Sequence, residues 1–242
     1  MKLFIASPTK GSMGVYTGLT FANAMYHLGK AGIEAEHPRM YDEYPLSEAR
    51  NKAVEEFLES DCTHILFWDS DQVFRSDSFV QMFRAVEEHK FKVLSGWYMA
   101  SNGTGTLVLF KRISTHALAD PYNFSEYRPL KAKEYLAVEK NVTPHGTFRE
   151  IDGIGFGFVM IEKSVFREIP YPWFAEWSPF MAKRVETYRF GEDLWFCDLC
   201  RKNGIPITVM YEGFVGHWAK QGYVVDEKHF EHKLRNEGVT LK

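Results

Sequence analysis

The sequence lacks most of the features that would assign it to a specialised class. No apolar stretch approaches the ~20 residues needed to span a bilayer. Its opening, "MKLFIASPTKG", holds only a short apolar run that Pro8 closes. That is not a secretory signal, and a cytoplasmic chain is expected. On that expectation the N-glycosylation tripeptides at Asn102, Asn123 and Asn141 are incidental. Cysteine is scarce: Cys62, Cys197 and Cys200 make an odd count that argues against a disulfide framework. Cys197 and Cys200 form a lone C-x-x-C inside a helical pattern, better read as two helix residues than as a zinc or redox pair. Positive charge is not in excess either. The 29 Lys and Arg against 32 Asp and Glu give a net charge of −3, without the basic stripe of a nucleic-acid binder. No Ser/Gly-rich linker and no internal repeat divide residues 1–242, so one domain is expected.

Aromatic residues, by contrast, are abundant at 16%. Core packing explains most of them, while exposed ones are how proteins stack on bases and sugar rings. The first hundred residues alternate strand-like and helix-like segments. "KLFIAS", "IEAEH", "HILFW" and "KVLSGWY" read as strands. "TGLTFANAMYHLGKAG" reads as a helix ending near Gly29 or Gly32. Ser47 is expected to cap a second helix with Ala49, Ala53, Val54, Phe57 and Leu58 on its buried face. Ser78 with Gln81 fits a capping box opening a third, with Phe79, Met82, Phe83 and Val86 inward. This order predicts right-handed βαβ units and a mostly parallel central sheet flanked by helices, an α/β protein.

Residues 102–145 show no clean period beyond a strand in "TLVLFKRI". Further on, "FREIDGIGFGFVMIEKSVF" reads as two strand pieces around a glycine turn, then a short helix. "GEDLWFCDLCRKNG" is a helix with Phe196, Leu199 and Cys200 inward and Gly204 as its stop. "IPITVMY" is a strand, "GFVGHW" the turn beyond it, and "DEKHFEHKLRNEGV" an amphipathic helix burying Phe230 and Leu234.

The chemistry begins at "WDSDQVF", residues 68–74. Ligands of open α/β sheets bind outside the carboxyl ends of strands, which is where Asp69 and Asp71 fall. Alternate carboxylates in a loop can both face one hard cation, and Mg²⁺ or Mn²⁺ is typically held by one or two carboxylates plus substrate phosphates. An EF-hand is excluded, because the continuation lacks the required Gly and the closing Glu. "GIGFGF" has the wrong spacing for a dinucleotide fingerprint and runs into a strand.

Taken together, "LSEARNKAVEEFLESDCTHILFWDSDQVF", "GIGFGFVMIEKSVF" at 153–166, "GEDLWFCDLCRKNGIPI" at 191–207 and "GHW" at 216–218 resemble GT-A glycosyltransferases, particularly family 2-like enzymes. The resemblance spans residue 3 to about 218. It implies a Rossmann-like GT-A fold, with about 1–100 as the nucleotide-sugar-binding half and about 101–242 as the acceptor-side half. It implies a nucleotide diphosphate sugar donor, of UDP or GDP type, and a saccharide or other hydroxyl acceptor. By this likeness Asp71 would ligate the metal, Asp69 would contact metal or ribose, and His217 would complete the site. A histidine ligand favours Mn²⁺ over Mg²⁺. Asp193 would be the general base of an inverting transfer, with Glu192 orienting it or the acceptor. An acidic pair at a helix N-terminus is also what the macrodipole favours, so the residues alone leave both readings open.

The same likeness places Pro8 and Thr9 beside the nucleotide base, Arg50 near the nucleotide or a phosphate, and Ser70 in the donor loop. Asp152 would reach a sugar hydroxyl, Gly155 would allow close backbone approach to sugar or acceptor, and Trp195 would line the acceptor side. Two other functions share these features: a sugar-phosphate nucleotidyltransferase, and a non-catalytic nucleotide or carbohydrate-binding module. The first would normally carry an Arg/Lys-containing glycine loop after strand one, where "ASPTKGSMG" has only Lys10.

Overall fold

The structure, a computed structural model, describes residues 1–9, 13–42, 45–100, 106–113, 127–176, 191–218 and 224–239. The first half runs β1 (Lys2–Pro8), α1 (Val15–Lys30), β2 (Glu34–Ala35), β3 (Arg39–Tyr41), α2 (Leu46–Glu59), β4 (His64–Trp68), β5 (Gln72–Val73), α3 (Ser76–His89) and β6 (Val93–Trp97). The middle holds β7 (Leu109–Arg112), β8 (Tyr127–Pro129), α4 (Ala132–Ala137), β9 (Asn141–Thr143), β10 (Gly146–Glu150) and β11 (Gly153–Ile154). The rest is β12 (Phe158–Glu162), α5 (Val165–Glu168), α6 (Glu192–Lys202), β13 (Thr208–Phe214), β14 (Gly216–Trp218), β15 (Val224–Val225) and α7 (Glu227–Asn236).

Nine strands form the central sheet along β2-β1-β4-β12-β6-β13-β10-β9, with β3 also pairing β1. β1 pairs β2, β3 and β4 in parallel, and β6 pairs β13 in parallel. β12 runs against both β4 and β6, and β10 against both β13 and β9. All strands but β12 and β10 therefore point one way, which is the mostly parallel sheet the alternation predicts. Strand side chains alternate between two cores. Phe4, Ala6, Ile65 and Phe67 meet α2 through Ala49, Ala53, Val54 and Phe57. Leu3, Ile5, Leu66 and Trp68 meet α1 and α3 through Ala24, Leu28, Phe79, Met82, Phe83 and Val86. Burial on both faces is why these strands read as continuous apolar runs rather than alternating ones.

The helix faces agree with their apolar periods, whereas the starts differ. α2 begins at Leu46 behind Pro45, so Ser47 lies inside the first turn and is buried instead of capping. Proline suits a helix start because its missing N–H would have no partner there. α3 begins at Ser76 behind Arg75, which puts Ser78 within the helix as well. "GHW" is a strand, not a turn: β14 pairs β5 on one side and β15 on the other. "TLVLFKRI" narrows to β7, in a separate three-stranded sheet with β8 and β11. Gly204 ends α6 at a φ of 68°, as its residue type requires.

Candidate active site

The site forms where β4 and β6 end on either side of β12. The ladder carries past β4, since the Asp69 amide donates to the Gly157 carbonyl at 2.9 Å. The chain then turns, with the Gln72 amide donating to the Asp69 carbonyl at 3.1 Å, and enters β5. That turn exposes Asp71 and points Asp69 inward.

Asp69 meets Arg50, which α2 delivers from beneath the sheet. Arg50 Nη2 donates to Asp69 Oδ1 at 3.0 Å, and its Nε donates to Glu192 Oε1 at 3.3 Å. The guanidinium is 1% exposed and lies over Phe67 and Phe156, 5.3 Å from each ring centroid. Its Nη1 has no hydrogen-bond partner. Burial raises the Asp69 carboxyl to about 6; Arg50 opposes the shift, while Asp71 and Glu192 add to it.

Glu192 and Asp193 open α6, where unpaired backbone N–H groups favour carboxylates. Asp193 Oδ1 accepts the Leu194 amide at 2.8 Å, and a Cβ on Gly191 would come within 2.6 Å of that oxygen. Gly191 is thus what lets the Asp193 carboxylate fold back over the helix start. Burial, then the adjacent Glu192 charge, pushes Asp193 up to about 7. Arg50 consequently joins the Asp69 side of the site to the Glu192 side across 142 residues of sequence.

The outer part is Asp71 with His217. His217 Nε2 lies 3.0 Å from Asp71 Oδ2, and its Nδ1 lies 3.1 Å from the Met99 carbonyl. A carbonyl only accepts, so Nδ1 carries the proton and the Nε2 lone pair of a neutral ring faces a carboxylate oxygen. Two acceptors at that distance need a cation between them, either a proton or a metal. Burial alone would lower the His217 pKa, but the hydrogen bond and charge of Asp71 outweigh it and raise the value. A backbone-anchored Nδ1 that aims Nε2 outward is also how ligating histidines are oriented. One oxygen and one nitrogen donor fit Mn²⁺ better than Mg²⁺. Asp69 does not converge with this pair. Among the described residues, Glu36, Asp61 and Cys62 form a ligand-like cluster, but the Lys2 ammonium already pairs with both carboxylates.

Other expected positions are more dispersed. Pro8 closes β1 beside Tyr41, and buried Thr9 donates its amide to the Tyr41 carbonyl at 2.9 Å. Lys10 lies outside the described residues, as do Asn102 and Asn123. The Ser70 carbonyl accepts the Gly14 amide at 3.4 Å, tying the loop after β4 to the entry of α1. Exposed Asp152 accepts the Arg112 amide at 2.9 Å and touches none of the other site carboxylates. Trp195 packs against the core and donates its indole N–H to the Pro172 carbonyl at 2.9 Å. Gly155 is buried against the Tyr98 hydroxyl and Val108, and at Gly157 an added Cβ would meet Gln72 Nε2 at 2.7 Å and Tyr98 at 2.8 Å. These glycines clear space for the protein's own side chains.

Tyr98 is a supporting residue that sequence reading left among the general aromatics. Its hydroxyl accepts the Gly157 amide at 3.2 Å, and its ring meets His217 edge-on at 5.3 Å. Alternate glycines opposite a strand-end aromatic were the available signal. Asn51 is another: its side chain exchanges two hydrogen bonds with the Phe174 backbone, at 2.8 and 3.1 Å. At the rim Tyr16 stacks on Trp218, with ring centroids 4.8 Å apart.

No family model matches the chain, and no curated protein matches it. Its architecture is nonetheless shared, with 130 solved chains matching. A197 from STIV is similar at a TM-score of 0.56 and 18% identity, over 93% of each chain. CMP:2-keto-3-deoxy-manno-octonic acid synthetase complexed with CTP gives a TM-score of 0.43 at 12% identity, over 98% of each chain. The chain is a Rossmann-like α/β protein, flanked by helices on both faces of its sheet. The likeness to A197 extends to the fold alone.

Proposed function

We propose that the protein is a metal-dependent glycosyltransferase that moves a sugar from a nucleoside diphosphate sugar to an acceptor hydroxyl. The observation that carries this reading is the Asp71–His217 pair, two ligand atoms 3.0 Å apart at the carboxyl end of the sheet, with the imidazole held by Met99. A divalent ion held there would neutralise the growing charge of the diphosphate leaving group.

The remaining work falls to the chain's own groups. Asp193 removes the acceptor hydroxyl proton as that oxygen attacks the anomeric carbon, giving inversion. A carboxyl raised to about 7 is matched to that task near neutral pH. Glu192, fixed by Arg50 Nε, holds the start of α6 in register with the donor side. Asp69, fixed by the same guanidinium and turned away from the Asp71–His217 pair, would contact the ribose of the donor rather than the metal.

The test is product analysis with a panel of nucleotide sugars in Mn²⁺. Release of nucleoside diphosphate supports the transferase. Pyrophosphate release would replace it with a nucleotidyltransferase, and binding without turnover would leave a binding module.

A further inference from the structure

The outward face of α1 is not built for water. Its exposed positions are Val15, Tyr16, Leu19, Ala22, Asn23, Tyr26, Gly29 and Lys30. Val15, Leu19, Ala22 and Tyr26 follow one another at i, i+4, i+7 and i+11, a single stripe about 17 Å long. Val15 is 76% exposed, Leu19 65% and Tyr26 63%, with Tyr16 at 55% beside them. The helix already has its core face, Ala24 and Leu28 with Phe21 and Met25. Folding therefore does not explain the second stripe. Neighbouring helices show the ordinary pattern: α2 exposes Glu48, Lys52, Glu55 and Glu59, and α3 exposes Gln81, Arg84, Glu87 and Glu88.

Charge sharpens the contrast. The chain carries 32 Asp and Glu, yet the first of them is Glu34, beyond the end of α1. The basic residues on α1 itself are His27 and Lys30, and the Lys30 ammonium sits 6.0 Å over the Tyr26 ring. Tyrosines at the edges of an apolar stripe, a lysine lying over one of them and no carboxylate suit the interface between phosphate headgroups and acyl chains.

We propose that α1 docks the protein on a phospholipid bilayer surface through Val15, Leu19 and Tyr26. A second copy of the chain fits less well. Four exposed side chains make a patch of the usual size for a single surface, about 300–600 Å², short of the about 800 Å² per partner of a stable interface. Docking also has a consequence for the site. Tyr16 stacks on Trp218, next to His217, and the Gly14 amide holds the Ser70 carbonyl. The donor loop and the outer pair thus lie at the N-terminal end of the docking helix, which points to an acceptor presented at the membrane surface. That consequence rests on the proposed transferase reading, whereas the docking does not.

The test is co-sedimentation of the full chain with phosphatidylcholine vesicles containing roughly one third phosphatidylserine, beside the double variant Leu19→Glu, Tyr26→Glu. Both side chains point to solvent, and matching thermal melts establish that the variant is folded. Native protein pelleting with the vesicles, and at least a tenfold drop in the bound fraction for the variant, about as expected for losing two interfacial anchors, support docking. Native protein that stays in the supernatant, or a variant that pellets equally well, overturns it. So does concentration-dependent self-association without lipid that the variant abolishes, which would assign the face to a second copy. Turnover of a soluble acceptor is expected to be the same in both proteins, so failure of docking and failure of the transferase reading are read separately.

Discussion

Asp69 and Asp71 stand two residues apart, in environments that differ in almost every respect. Asp69 has a side chain 24% exposed and is paired with a buried guanidinium. Asp71 is 48% exposed and faces an imidazole whose far nitrogen is tied to the backbone. The inner pair is cross-braced to α2 and α6. The outer pair is held by two short strands, β5 and β14. A buried ion pair is costly to break from one side, because the survivor is left charged without a partner. A half-exposed pair that needs a cation between its members gives up little when that cation changes from proton to metal. The inner part is therefore suited to holding shape, and the outer part to exchanging a ligand.

Substitutions separate the two. The largest effect is expected at Asp193, which the inner brace positions. Asp193→Asn should lower transfer by roughly a thousandfold while leaving donor binding intact, read as nucleoside diphosphate release against a thermal shift with donor. The native rate should rise with pH through about 7, as Asp193 loses its proton. Stability should follow the opposite slope. Between 3.8 and about 7 the native carboxyl keeps a proton that the unfolded chain has released, so stability falls as pH rises across that window and levels off above it. In the Asn variant that part of the slope disappears.

Arg50→Ala comes next and acts on the fold itself. It strands Asp69 and Glu192 together and should cost about 3 kcal/mol, measured as a lower urea midpoint with an unchanged slope. A loss no larger than that of a surface substitution would remove the brace. His217→Gln should be milder: native stability, with Mn²⁺ affinity weakened at least about tenfold by titration calorimetry. Equal destabilisation by the Arg50 and His217 substitutions would dissolve the distinction between the two parts.

The sheet and the helix faces were legible because burial on both sides writes itself as apolar runs and 3.6-residue stripes, as in "HILFW" and in Phe79, Met82, Phe83 and Val86. Helix starts were less legible: Ser47 and Ser78 suit a cap, but the helices start earlier, behind Pro45 and the extended Arg75. The outer pair was readable in outline, since Asp71 and His217 each stand in a distinct short motif. The inner brace was not. Arg50, Asp69 and Glu192 are brought together only by packing α2 and α6 on the same face of the sheet, and no spacing in the sequence reports that. The same holds for Trp195, whose indole N–H goes to the Pro172 carbonyl, and for Gly155, which makes room for Tyr98.

The decisive measurement is the thermal shift of native protein and Asp71→Ala with UDP, GDP, CDP and dTDP, each with and without Mn²⁺. A ligand that binds only the folded state raises its apparent stability, so the shift reports binding directly. The native protein should be stabilised by at least one nucleotide, and only when Mn²⁺ is present. Asp71→Ala should melt like the native protein alone and show no such shift. A native shift that ignores Mn²⁺, or an Asp71→Ala protein with the full metal-dependent shift, would contradict a metal site at Asp71 and His217.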